Sequence, residues 1–220
     1  MDQHTGCLNP SYATPLLNKL KLDMSSKNLN ATMKSVELAY WDYLDNYHFK
    51  NRHSYPHLRM YDFLEKALVY HNCTEDTVRQ TRQYCRLYDR YKKSIPTAGV
   101  ILYFGNMFVI VKMKTARNWS MPKGKQDGHE TLLQTAIREF SEETGIDLDE
   151  CIDINTQSKL ICKTLFYIVE ADHKQPSFSG YNKNEISDVK WISFLKVLSS
   201  PQNFSRQTVA AAEYLKSIQI

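Results

Sequence analysis

The sequence predicts an α+β protein, with an all-α N-terminal domain followed by an α/β/α sandwich built on a mixed sheet. Three observations carry that prediction. Between residues 30 and 93 the apolar side chains recur at helical spacing. From about residue 98 onward they fall instead into short runs rich in Val, Ile, Phe and Tyr. Between the two lies Lys92-Lys93-Ser94-Ile95-Pro96-Thr97, where a helix must end before Pro96. The boundary is set there, giving a helical domain over residues 14–94 and a mixed-sheet domain over 95–220, preceded by a polar, poorly ordered segment at 1–13.

Each element follows from its own pattern. Leu16, Leu17, Leu20 and Leu22 form a short helix or docking segment. Residues 30–47 carry Met33, Val36, Leu38, Ala39, Tyr40, Trp41, Tyr43 and Leu44 and predict a strong amphipathic helix, interrupted by Pro56. Residues 61–70 give a second helix. Residues 74–93 give a third, opening on Thr74 and Glu75 and carrying Tyr84, Leu87, Tyr88 and Tyr91 as apolar positions. In the second domain, strands at 98–104 and 107–113 flank the hairpin signal Gly105-Asn106. A helix follows Trp119-Ser120-Met121-Pro122, strands at 160–169 and 189–192 complete the sheet, and residues 205–219 form a terminal helix.

Composition excludes several classes. The chain has 220 residues, 42% of them hydrophobic, enough to bury a core in both halves. Its net charge of +4 tolerates a polyanionic partner but falls short of a dedicated nucleic-acid-binding composition, and no DNA partner is expected. Cys7, Cys73, Cys85, Cys151 and Cys162 are scattered without a CxxC pair, against a disulfide framework or a zinc site. No apolar run approaches the ~18 residues of a membrane span, and residues 1–26 lack a signal-peptide core, so a cytoplasmic setting is expected.

The most specific feature is local. Gly124, five residues, Glu130, seven residues, then Arg138-Glu139-Phe140-Ser141-Glu142-Glu143-Thr144-Gly145-Ile146 meets every fixed position of the Nudix box. At background frequencies of roughly 6% per fixed identity, such a match arises by chance on the order of once in a billion starting positions. Leu132, Leu133, Ala136, Ile137 and Phe140 give the stretch helical periodicity, so Glu139, Glu142 and Glu143 share one face. Clustered carboxylates repel unless hard cations neutralise them, and all-oxygen ligands select Mg2+ or Mn2+. A diphosphate is the natural target, with metal ions neutralising charge that develops on its oxygens. Glu143 is the expected central ligand. Gly145 is expected to end the helix in a left-handed conformation, Gly124 to let the loop approach phosphate, and Arg138 to pair with Glu130 or another box acid in a structural role.

The flanks narrow the resemblance. The segment Trp119 to Lys125, WSMPKGK, resembles the WGFPKGK of the eukaryotic mRNA-decapping Nudix hydrolase family, departing only at Ser120 and Met121. Residues 95–102 look like that family's VPVCGAILL, and Ser35 to Asp45 is similar to a segment of its helical regulatory domain. The resemblance spans about residues 16–220 and implies a regulatory domain at 14–94 and a Nudix catalytic domain at 95–220. It further implies that Glu139, Glu142, Glu143 and Glu185 bind metal and carry catalysis, with Glu185 contributed from outside the box. Lys123 and Lys125 would face phosphate. Without the resemblance, Glu185 reads as a loop acid and the lysines as solvated.

Trp41 and Asp45 lie one helical turn apart. A helical Trp is usually core; the resemblance implies instead that this pair holds the 7-methylguanine of the cap, by cation–π stacking and by a carboxylate on the guanine edge. Arg79, Arg82, Arg86 and Arg90, and Lys112, Lys114 and Arg117, are either solvated faces or tracks for RNA phosphates. The expected activity is hydrolysis of the 5′ cap of RNA to 7-methylguanosine diphosphate and 5′-monophosphate RNA, with a decapping activator protein on the helical domain. Two rival readings share the same motif: hydrolysis of small nucleoside or inositol polyphosphates, and cap or RNA binding without turnover.

Overall fold

In the computed structural model, residues 10–174 and 178–218 are described. The chain divides into two compact units, Met1–Ser94 and Ile95–Ile220.

The first unit is helical: α1 (Pro10–Leu17), α2 (Leu29–Tyr43), α3 (Met60–Tyr70), α4 (Glu75–Arg79) and α5 (Thr81–Ser94). Its core is the predicted apolar face of α2 (Met33, Val36, Tyr43) packed on Phe63, Leu64, Ala67 and Leu68 of α3 and on Tyr84 and Tyr88 of α5. Each of the larger apolar side chains contributes about 1.5–3 kcal/mol by leaving water. Two tyrosines of α2 keep their hydroxyls satisfied: buried Tyr43 donates to the Pro56 carbonyl at 2.7 Å and half-buried Tyr40 to that of Leu58 at 2.9 Å, which pins the Pro-containing connection to α2. Glu37 of α2 accepts from Tyr88 at 2.8 Å and from Lys92 at 2.7 Å, tying α2 to α5.

Three boundaries differ from the sequence reading. Residues 10–13 belong to α1 rather than to a disordered segment, while residues 1–9 lie outside the described residues. The single helix expected over 74–93 is two helices broken at Gln80, because the Thr81 hydroxyl donates to the Val78 carbonyl at 2.6 Å and competes with the helical ladder. The helix expected over 30–47 continues as a π-helical turn at Leu44–His48, where the Phe49 N–H reaches the Leu44 carbonyl.

The second unit contains β1 (Thr97–Phe104), β2 (Met107–Met113), β3 (Lys123–Lys125), α6 (Leu132–Thr144), β4 (Ser158–Ile161), β5 (Thr164–Glu170), β6 (Ile186–Ser193), α7 (Phe194–Ser199) and α8 (Arg206–Ile218). The strand order is β4-β5-β1-β2-β6, with β3 paired to β1. The β1–β5 pair is parallel and the remaining pairs are antiparallel, so the sheet is mixed, as the sequence predicts. Alternation along the strands sends Val100, Leu102, Val109 and Val111 to one face with Ala136 and Phe140 of α6. Ile101, Phe108 and Ile110 go to the other face, with Phe194 and Val197 of α7 and Ala211, Ala212 and Leu215 of α8. This is the predicted α/β/α sandwich.

The one strand expected over 160–169 is a hairpin turning at Cys162 and Lys163, both at positive φ (47° and 73°). Neither residue is Gly or Asn, so the usual sequence signal for such a turn is missing. The described cysteines Cys73, Cys85, Cys151 and Cys162 are free thiols.

Candidate active site

Helix α6 is specified at both ends. The Thr131 hydroxyl accepts from the Gln134 N–H at 3.2 Å, and the Gln134 side chain accepts from the Thr131 N–H at 2.8 Å, a reciprocal cap. At the other end Gly145 adopts φ 74°, and its N–H closes on the Ser141 carbonyl. Between the caps, Thr135, Ala136, Phe140, Glu143 and Thr144 are buried.

A buried carboxylate on that face is unusual, and its surroundings account for it. Glu143 is only 6% exposed and accepts a hydrogen bond from the Lys123 backbone N–H at 3.0 Å. Burial pushes its carboxyl up to about 8 against the pull of Lys123, and the negative charges of Glu139 and Glu185 push in the same direction. Glu139 is raised as well, first by burial and then by Glu142 and Glu185, while Arg138 opposes the rise. Glu185, on the turn leading into β6, is thus brought within electrostatic reach of two box carboxylates despite lying more than 40 residues away in sequence.

Arg138 organises the rest. Its Nε donates to Glu130 at 2.7 Å and one terminal nitrogen to the other Glu130 oxygen at 3.1 Å, a bidentate fork. The remaining nitrogen reaches Glu139 at 2.9 Å and Glu142 at 3.3 Å. The fork holds the Glu130 carboxyl down at about 2, and the Glu130 carboxylate also accepts from Thr135 at 3.0 Å. Gly124 completes the packing: a Cβ there would lie 1.8 Å from the Glu139 carboxyl carbon, so with glycine at this position the Glu139 carboxylate can lie against β3, and any larger residue would have to push it aside.

The donor set fits a hard divalent cation. All donors are carboxylate oxygens, and their mutual repulsion and burial leave a deficit that a cation would relieve. Among the described residues, no three acidic, His or Cys side chains already stand in coordinating array. The Arg138 guanidinium instead occupies oxygens of Glu139 and Glu142.

Residues 93–212, more than half the chain, match the family described as NUDIX domain. The chain belongs to the Nudix family. Its curated relatives include "mRNA-decapping enzyme subunit 2" of Saccharomyces cerevisiae (strain YJM789), 30% identical over 115 residues, covering 50% of this chain and 12% of that protein. The Arabidopsis thaliana protein of the same name is 28% identical over 163 residues, covering 71% of this chain and 43% of the relative. A Caenorhabditis elegans protein, "m7GpppN-mRNA hydrolase dcap-2", is 24% identical over 197 residues, covering 83% of this chain and 25% of the relative. The chain therefore spans less than half the length of each of these relatives.

The other expected residues fall in three places. Lys123 and Lys125 flank Gly124 on β3, next to the Nudix box carboxylates. Arg117 lies instead at a cavity of about 340 Å³ with Lys112, Trp119, Lys190 and Lys196, and the Lys190 Nζ sits 3.7 Å from the centroid of the Trp119 ring. The sequence reading noted Lys112 and Arg117 but not Lys190 or Lys196, which only the β2–β6 pairing and α7 bring alongside. In the helical unit, Trp41 is 53% exposed and Asp45 is exposed, so Trp41 is not a core residue. Among the described residues, no helix is long and apolar enough to cross a membrane.

Proposed function

We propose that this chain is a divalent-metal-dependent pyrophosphohydrolase acting in the cytoplasm on the 5′ cap of RNA, releasing 7-methylguanosine diphosphate and 5′-monophosphate RNA. The observation that carries this reading is the reach of the similarity. An alignment of 197 residues with the nematode protein cannot fit within Ile95–Ile220 and must extend into the helical unit, which the hydrolytic motif alone does not require.

Glu139, Glu142, Glu143 and Glu185 would hold Mg2+ or Mn2+, and the bound metal would supply charge neutralisation at the triphosphate and a more acidic water. The protein's own residues do the rest. Lys123 and Lys125 balance charge on the phosphate chain, while Arg138, spent on Glu130, keeps the carboxylates in register. An ionised carboxylate of the cluster takes the proton of the attacking water as its oxygen bonds to phosphorus and the bridging P–O bond breaks. The new P–O bond belongs to one product and the leaving oxygen to the other. Trp41 offers an open indole face to the cationic base, and Asp45 an acceptor to the guanine edge. Arg117, with the neighbouring lysines, would take RNA phosphates. An activator protein would dock on the helical unit, where Leu38 (64% exposed), Phe49 (55%) and Val69 (59%) leave apolar surface uncovered.

The test is product analysis on cap-labelled RNA with Mg2+ or Mn2+. Release of labelled 7-methylguanosine diphosphate supports the reading. Release of the monophosphate, or hydrolysis confined to small dinucleoside polyphosphates, overturns it.

A further inference from the structure

We infer that Asn182 is a positioning residue for Glu185, the one member of the carboxylate cluster that lies outside the box; the inference rests on the reading of Glu185 as a site acid. Three groups of one residue connect the two parts of the site. The Asn182 N–H donates to the Glu142 carbonyl at 2.7 Å, meeting one of the carbonyls that the last turn of α6 leaves without a helical partner. The Asn182 carbonyl accepts from the Glu185 N–H at 3.2 Å and the Ile186 N–H at 2.9 Å. Its side-chain Oδ1 accepts from the Asn184 N–H at 3.1 Å, closing the intervening turn. Glu185 is then fixed from its far side, since its carbonyl accepts from the Lys114 N–H at 2.8 Å. Its main chain is held between the end of the box helix and the end of β2.

The seat for this loop is cut by Gly145. A Cβ there would lie 1.8 Å from the Ser179 carbonyl oxygen and 3.0 Å from the Tyr181 nitrogen, both backbone atoms that cannot swing away. The terminal glycine of the box therefore does two things. Its positive φ ends α6, and its bare Cα lets residues 179–182 pack down so that the Asn182 N–H reaches the helix. A displacement of about 1 Å at a reacting group is enough to cost roughly a hundredfold in rate, so the side-chain bond that shapes the turn bears directly on function.

The experiment is a double-mutant cycle on the whole chain, read out by Mn2+ binding to the metal-free protein, followed by electron paramagnetic resonance, and by kcat and KM on cap-labelled RNA. Asn182→Ala is expected to lower both Mn2+ affinity and kcat by roughly tenfold, with KM and Tm nearly unchanged. In a Glu185→Gln background the same substitution is expected to add nothing, because Asn182 acts through Glu185. Asn182→Ser, whose hydroxyl oxygen can still accept from Asn184, restores most of the loss. Asn182→Gln, which moves the amide one methylene away, matches Ala and serves in its place should Ala fail to fold. Equal losses in both backgrounds, or no loss in Asn182→Ala, overturn the inference while leaving Glu185 in the site. If Glu185→Gln alone leaves Mn2+ binding and kcat unchanged, the reading of Glu185 falls and the inference with it.

Discussion

Helix α6 and the run from α2 into its π-helical turn both carry residues of the proposed function, and they are built in opposite ways. α6 has a reciprocal N-cap, a left-handed glycine at its end, a buried Glu143, and an arginine gripping three glutamates. α2 has no side-chain cap and runs into a π-helical turn, with Trp41 of the helix and Asp45 of the turn both in solvent. The difference suits the two tasks proposed for them. Charges that must act on a phosphorus atom gain from burial and fixed geometry, because reorganising them during reaction would raise the barrier. A residue that stacks on a base needs a free face, and its neighbours need only hold the backbone.

That contrast can be broken most sharply at Glu143. Glu143→Gln is expected to lower cleavage by roughly a thousandfold or more while RNA binding survives, measured by single-turnover kinetics beside a filter-binding assay. Retained Mn2+-dependent cleavage would remove the buried carboxylate from the chemistry. Next comes Gly124→Ala, whose Cβ must displace the Glu139 carboxylate; a loss of kcat of about tenfold to a hundredfold is expected, with an intact fold by circular dichroism. Trp41→Ala tests the open region. Because Trp41 is exposed, Tm should stay within a degree or two, while cleavage of capped RNA falls roughly tenfold relative to an uncapped triphosphate RNA. Equal effects on both substrates would end the assignment of Trp41 to the base.

The smallest effect is on stability against pH, and its sign differs between two box glutamates. Glu143 is raised from 4.5 to about 8 in the fold, so between those values the unfolded chain has already released its proton while the native one still holds it. The metal-free protein should therefore lose stability as pH rises from about 4.5 toward 8. Glu130 is lowered from 4.5 to about 2, so its contribution is present above 4.5 and is lost as pH falls toward 2. Thermal unfolding across pH, with chelator and then with excess Mg2+, checks both. Magnesium should flatten the upper limb alone, since a cation favours ionised Glu143.

The legible parts of the site were those written within one element. Glu139, Glu142 and Glu143 share a face because helical geometry places i, i+3 and i+4 together, whereas the choice of Glu130 over the other box acids as the fork partner of Arg138 came only with the loop before α6. The hairpin at Cys162 and Lys163 was not legible, since two ordinary side chains adopt a turn normally marked by Gly or Asn. Nor was the break at Gln80, which a single threonine hydroxyl produces. Lys190 and Lys196 escaped notice because solvated lysines on a strand and a short helix look alike until a register sets them beside Trp119.

By itself the sequence determined the α+β class, the mixed sheet and the carboxylate face of the Nudix box. Periodicity and local spacing are properties of neighbouring residues, and a helix or strand converts them directly into shared faces. Only the tertiary structure decided that Glu143 is buried, that Trp41 is not, and that Gly124 and Gly145 are clearances for Glu139 and the Ser179 carbonyl. Only it carried Glu185 to the box, by hanging its loop from the Glu142 carbonyl in the last turn of α6. Those are matters of long-range register and packing, where the partner of each group is chosen by the closing of the chain rather than by the residues beside it.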